Sequence, residues 1–251
     1  MFGIGGGAVI VPVLFELFRM YQVPDAVRMQ LCVGTSLAII VPTAWRSYRA
    51  HYARGLVIPE VLRLWTVPVI LGVAAGSLLA AVAPAGLFKL AFAGIVGIIA
   101  GKLLFGAENW VIGSELPGGA AMRAYGFVMG LASSLMGISG GSLVTIFLTL
   151  YRKTIHEAVA TASGIGVPIT TAGTLGYMLA GLPHQSEMPP LSIGFVSILG
   201  VLLIAPISSY VAPLGARLAH RLPRRSLEIA FGSFLVLVSA RFMLSLLYPG
   251  T

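Results

Sequence analysis

The sequence predicts an all-α, polytopic transmembrane helical bundle built from two repeats of one unit, and three observations carry that expectation. Of 251 residues, 57% are apolar and 10% charged, against roughly 25% charged in a soluble domain. The runs 64–82, 87–105, 191–211 and 226–248 approach or exceed the roughly 20 residues that cross a hydrocarbon core as a helix. None shows the period-two alternation of a membrane β-barrel strand. Third, the residues recur in order.

The opening Gly3-Ile4-Gly5-Gly6-Gly7 returns as Gly137-Ile138-Ser139-Gly140-Gly141, a shift of 134. Val33, Thr35, Ile39, Val41 and Pro42 return as Val159, Thr161, Ile165, Val167 and Pro168 at a shift of 126. Gly76, Leu79, Ala80, Pro84, Ala91 and Phe92 return as Gly215, Leu218, Ala219, Pro223, Ala230 and Phe231 at 139. Three blocks in one order make a duplication, with length changes placed in the connections 18–30 and 183–190. The expected units are 1–107 and 121–251, joined by a polar linker at 108–120. The second unit has an apolar lead-in at 121–135 that the first lacks, so a short apolar segment is expected upstream of Met1.

Six full spans and two glycine-broken elements are expected, seven to eight helices by simple counting. The sixteen Lys and Arg residues lie mostly in connections, which argues against a nucleic-acid surface and for membrane orientation. If each glycine-broken element returns to its own side, twelve of them fall on one face, and Arg19, Arg28, Lys89 and Arg241 on the other. Full crossing by both elements divides the sixteen nine to seven and puts the copies the same way up. The positive-inside rule selects the inverted arrangement, which five crossings per copy also satisfy. The N-terminus lacks the features of a cleaved signal peptide. The single cysteine, Cys32, lies in an apolar run and reads as a buried thiol.

These residues resemble the sulfite exporter TauE/SafE family of membrane permeases. The first copy carries Gly3 to Gly7 followed by Val33-Gly34-Thr35-Ser36. The second carries Gly137 to Gly141 followed by Thr161-Ala162-Ser163. Ser139 stands where the family usually has a glycine, and Ile146 where the first copy has Pro12. The resemblance covers essentially the whole chain. It implies a secondary transporter in the bacterial inner membrane, multi-pass, moving a sulfur oxyanion such as sulfite or an organosulfonate.

Glycines inside an apolar helix cost roughly 1 kcal/mol each relative to alanine, so a cluster at membrane depth needs a reason. One reason is a broken helix whose N-terminus aims N–H groups at an anion; the other is close helix packing. Both remain open at the level of sequence. The candidate substrate-binding residues are Gly5, Gly6, Gly7, Thr35, Ser36, Pro42, Ser139, Gly140, Gly141, Thr161, Ser163 and Pro168. The prolines remove backbone donors and open carbonyls, and the hydroxyls bind either ligand or a neighbouring carbonyl. Lys102 and Arg241, matched late in their helices, read as snorkelling cations. No catalytic residue, cofactor or metal site is expected: His51, His156, His184 and His220 share no ligand spacing, and no phosphate loop follows the glycines. The expected partners are a small anion and the lipid bilayer, with self-association open. The competing function is a membrane-embedded enzyme or assembly subunit acting on a lipid-borne substrate, which needs a nucleophile, acid–base group or metal that no cluster here supplies.

Overall fold

A computed structural model describes residues 6–105, 112–113, 115–221 and 223–247. Among them the first unit forms α1 (Gly7–Met20), α2 (Asp25–Tyr52), α3 (Pro59–Val82) and α4 (Ala85–Phe105). The second forms α5 (Gly119–Met136), α6 (Gly141–Leu150), α7 (Ile155–Gly181), α8 (Ile198–Arg221) and α9 (Arg224–Leu247). That is nine α-helices among the described residues where counting predicts seven to eight. The second glycine signature produces two helices, α5 and α6. Of the six full spans expected, five are met among the described residues by helices long and apolar enough to cross a membrane, α2, α3, α4, α7 and α9; α8 is apolar over the shorter stretch Ile198–Ser208. The apolar segment expected ahead of α1, as a counterpart of α5, lies outside the described residues.

Local chemistry sets the ends. Pro59 at the first turn of α3 and Glu60 beside it suit the free N–H groups there. At α7 the Thr154 hydroxyl accepts from the Glu157 amide at 3.3 Å, and the Thr154 amide donates to the Glu157 carboxylate at 3.0 Å, a capping box. α5 stops at Gly137, whose left-handed φ of 66° turns the chain.

Packing pairs define the directions of the helices. α2 runs antiparallel to α7, with Gly34 beside Tyr177 and Gly164 beside Tyr48. α3 runs parallel to α7, Leu62 lying at Gly164 and Ser77 at Gly176. α3 also runs parallel to α5, with Trp65 at Gly126 and Ser134 at Gly76. α4 and α9 form an antiparallel pair, from Gly86 at Leu246 to Leu104 at Gly232.

α6 doubles back beside α5: the tilted rings of Phe147 and Tyr125 lie 4.5 Å apart, and the Ile112 amide, ahead of α5, donates to the Leu150 carbonyl at 2.9 Å. The α5–α6 element therefore enters and leaves on the face that holds residues 53–58 and 151–154. α1 starts against Gly137 and Ile138 in the interior and ends at the turn into α2, on the other face. Because α2 and α7 are antiparallel, α1 and α6 diverge from the interior toward opposite faces. The copies are inverted.

The run 191–211, expected as one span, is corrected: Ser192–Ile193 and Val196–Ser197 pair as a short antiparallel hairpin, and α8 begins only at Ile198. Leu191 and Gly194 take positive φ values of 58° and 52°, which a continuous helix forbids. Gln185 holds the hairpin, its side chain donating to the Ser192 carbonyl at 2.7 Å and accepting from the Gly194 amide at 2.8 Å. The Phe195 amide donates to the Tyr177 carbonyl at 3.1 Å, docking the hairpin on α7.

The core is apolar, with Val11, Leu14, Leu37, Trp65, Val73, Ile165 and Ile169 fully buried. The periphery is apolar too: Val67, Leu71, Leu78, Leu202, Leu203 and Leu244 are exposed. Such a continuous apolar surface suits lipid rather than water. This is a multi-pass membrane protein.

Candidate substrate site

The two glycine signatures meet. A β-carbon on Gly7 would overlap the Gly137 carbonyl oxygen and come within 3.0 Å of the Ile138 α-carbon. One on Gly137 would lie 3.0 Å from Val11 and Val33. Ser36, on α2, donates its hydroxyl to the Gly137 carbonyl at 2.8 Å. Gly7 and Gly137 are thus required for close approach of the two copies. Gly6 precedes α1 in ordinary right-handed geometry and is exposed. Gly5 and the side chain of Lys102 lie outside the described residues.

The start of α6 is differently furnished. Gly140 is its N-cap in left-handed geometry, φ 69°, and no side chain caps it. The amides of Gly141, Ser142 and Leu143 lie in the first turn, where a helix offers no internal acceptor. Beside them the hydroxyls of Ser133, Ser142 and Thr145 are buried and have no hydrogen-bond partner among the described residues. Ser133 is the closest: its hydroxyl lies 2.7 Å from where a Gly140 β-carbon would stand. Ser139, the departure from an all-glycine signature, faces Gly166 of α7.

The matched threonines have matched structural partners. Thr35 of α2 accepts from the Ser197 amide at 2.9 Å, just before α8. Thr161 of α7 accepts from the Ile58 amide at 3.0 Å, just before α3. Each copy thereby satisfies a free N–H at the start of a long helix of the other copy, α8 or α3, and the match between the two threonines follows from the inverted symmetry. Ser163 donates to the Ala160 carbonyl at 2.6 Å. Pro42 is exposed. Pro168 lines a groove with Gly164 and Thr171, on the side of α7 away from Gly166 and the signatures. Of the twelve candidate residues, the structure gathers Gly7, Ser36, Ser139, Gly140 and Gly141 at the meeting of the copies.

The family is decided by extent of match. The sequence profile described as "Sulfite exporter TauE/SafE" spans residues 1–242. The chain belongs to the sulfite exporter TauE/SafE family. Three relatives of this TauE/SafE chain agree on the coarser activity. A "Probable membrane transporter protein" of Haemophilus influenzae is 29% identical over 244 residues, 97% of this chain and 92% of the relative. One of the same description from Methanocaldococcus jannaschii is 25% identical over 94% of this chain and 86% of its own. The "Probable membrane transporter protein YunE" of Bacillus subtilis is 24% identical over 100% of this chain and 92% of its own. No solved structure matches the chain. The protein is a membrane transporter, not an enzyme.

One group of TauE/SafE side chains escaped the sequence reading. On the face where α1 meets α2, Glu16 pairs with Arg19 at 2.9 Å and with Arg241 at 3.1 Å. Asp25 pairs with Lys89 at 2.8 Å and with Arg28 at 3.3 Å. Arg241 is thus a paired cation. These four bases are the four assigned to the sparsely charged face by their position in the sequence, and each has a carboxylate. The signal for Glu16 was available, since a lone acid in an apolar run is costly unless paired.

Proposed function

We propose that this TauE/SafE transporter moves a small sulfur-containing anion, sulfite or an organosulfonate, across the bacterial cytoplasmic membrane, and that the anion binds at the N-terminus of α6. The observation that carries the reading is the buried, unpartnered Ser133 hydroxyl beside Gly140. A buried hydroxyl without a partner costs about 1–3 kcal/mol, and a ligand oxygen relieves that cost. A helix N-terminus supplies roughly half a positive charge and free amides, so an oxyanion needs no cationic side chain there. The N-terminus of α1 adds a second dipole from the opposite side. The sulfur-anion class is supported by the family description.

Labelled sulfite uptake into proteoliposomes tests the substrate. Saturable uptake that excess unlabelled sulfite or a short alkylsulfonate suppresses, and chloride does not, is the expected result. Uptake equal to that of empty vesicles would remove sulfite from the reading.

The face carrying twelve basic residues is proposed as cytoplasmic, following the positive-inside rule. Single cysteines in a Cys32→Ser background report this directly. Positions 54 and 152 should react with an impermeant maleimide only after the cells are opened, and positions 21 and 186 in intact cells. Residues 54 and 152 reacting from opposite sides would contradict the inverted arrangement.

A further inference from the structure

A cavity of about 640 Å³ opens sideways between α2, α3 and α7. Its lining changes character along its length. Tyr48 and Arg63 stand at the end nearer the 53–58 connection, with Trp45 beside them, and Ile70 and Leu175 form the deeper walls. On α7 it runs from Gly164 to Leu175, about 16 Å at 1.5 Å per residue. That is roughly half of a ~30 Å hydrocarbon core, the depth of one leaflet.

The charged end carries a cation and a row of aromatic rings. Arg63 is exposed and has no ion pair or hydrogen bond among the described residues, although Glu60 lies one turn before it. Arg49 stacks over the Trp45 ring at 5.7 Å, and Tyr48 lies between Trp45 and Tyr52 with ring separations of 6.3 and 5.6 Å. Tryptophan and tyrosine rings collect at the headgroup level of a bilayer. A free guanidinium there complements a phosphate.

We propose that this groove holds one anionic phospholipid of the leaflet on the 53–58 side, its phosphate at Arg63 and one acyl chain along Ile70 and Leu175. The groove is distinct from the anion site: Gly164, Pro168 and Thr171 face it, whereas Gly166 on the other side of α7 faces Ser139. A lipid wedged between α2, α3 and α7 bridges both copies. Pro168, half-buried at the groove wall, gains a role as lining.

Native mass spectrometry of the delipidated full chain, offered phosphatidylglycerol or phosphatidylcholine of equal chain length, tests the assignment. The protein should retain one phosphatidylglycerol in preference to phosphatidylcholine by about fivefold or more, the contribution of a single basic residue at the membrane surface. Arg63→Ala should abolish that preference, and Arg152→Ala, in the 151–154 turn, should keep it. Ala172→Phe fills the groove with Arg63 in place and should lower retention of both lipids, which covers the case in which Arg63→Ala fails to fold. Equal retention of the two lipids, an unchanged preference in Arg63→Ala, or displacement of the lipid by sulfite would overturn the proposal.

Discussion

Ser133→Ala is expected to leave the folded transporter at least as stable as the parent and to weaken transport about ten- to hundredfold, the value of one hydrogen bond to a charged ligand at 1.5–3 kcal/mol. The two effects have opposite signs for one reason. In the empty protein the Ser133 hydroxyl is fully buried beside Gly140 without a partner, so alanine removes a desolvated polar group and a cost of about 1–3 kcal/mol. With anion bound, the same hydroxyl would donate to an oxyanion, and alanine deletes that bond. Thermal unfolding in detergent without and with sulfite, alongside the concentration dependence of uptake, separates the two. A lower melting temperature without ligand would mean that Ser133 has a structural partner. Unchanged half-saturation would remove it from the site. Gly140→Ala is the companion variant: it adds left-handed strain of about 1–2 kcal/mol and crowds both Ser133 and Ile169, so it should lower stability and transport together.

Much of the architecture was legible because a duplicated chain reports its own symmetry. Matched blocks identify α1 with α6 and α2 with α7, and the positive-inside rule prefers the arrangement in which each copy crosses an odd number of times, since it divides the basic residues twelve to four. The structure meets that parity in the second copy through the doubling back of α6. Less legible was which glycines bind and which pack. Gly7 and Gly137 have no room for a side chain because backbone from the other copy fills the space, a contact between residues 130 positions apart that no local pattern announces. The hydroxyl set was readable by a finer comparison: at the shift of 134, Ser142 and Thr145 replace Ala8 and Val11, a change from apolar to polar confined to one copy. Thr35 and Thr161 mislead for the opposite reason. Their identity in both copies invites a ligand role, yet each satisfies a backbone amide across the inverted pair. The hairpin at 192–197 was hidden because its residues are as apolar as a span, and in the sequence Gly194 and the preceding Pro189-Pro190 are what mark the break.

Asp25→Ala is expected to destabilise the protein more than Lys89→Met, although the two residues form one ion pair. The asymmetry lies in burial. The Lys89 ammonium stands 2.9 and 2.8 Å from the two Asp25 oxygens, with its side chain 4% exposed, whereas the Asp25 side chain is 45% exposed and also pairs with Arg28. Removing Lys89 leaves a carboxylate that water and Arg28 still satisfy. Removing Asp25 strands a buried cation whose remaining stabilisation is the Phe15 ring, 5.4 Å away. Breaking a buried pair in that sense costs about 3–5 kcal/mol, and the ring returns part of it. The consequence is architectural as well as energetic, because Asp25 to Lys89 ties α2 to α4 while Glu16 to Arg241 ties α1 to α9. These two links join the α4–α9 pair to the helices that carry the glycine signature. Thermal unfolding of the purified variants gives the order directly: Asp25→Ala lowest, Lys89→Met intermediate, and the double variant Asp25→Ala/Lys89→Met close to Lys89→Met, since the stranded charge is gone. A double variant as unstable as Asp25→Ala alone would show that Asp25 acts through Arg28 rather than through Lys89.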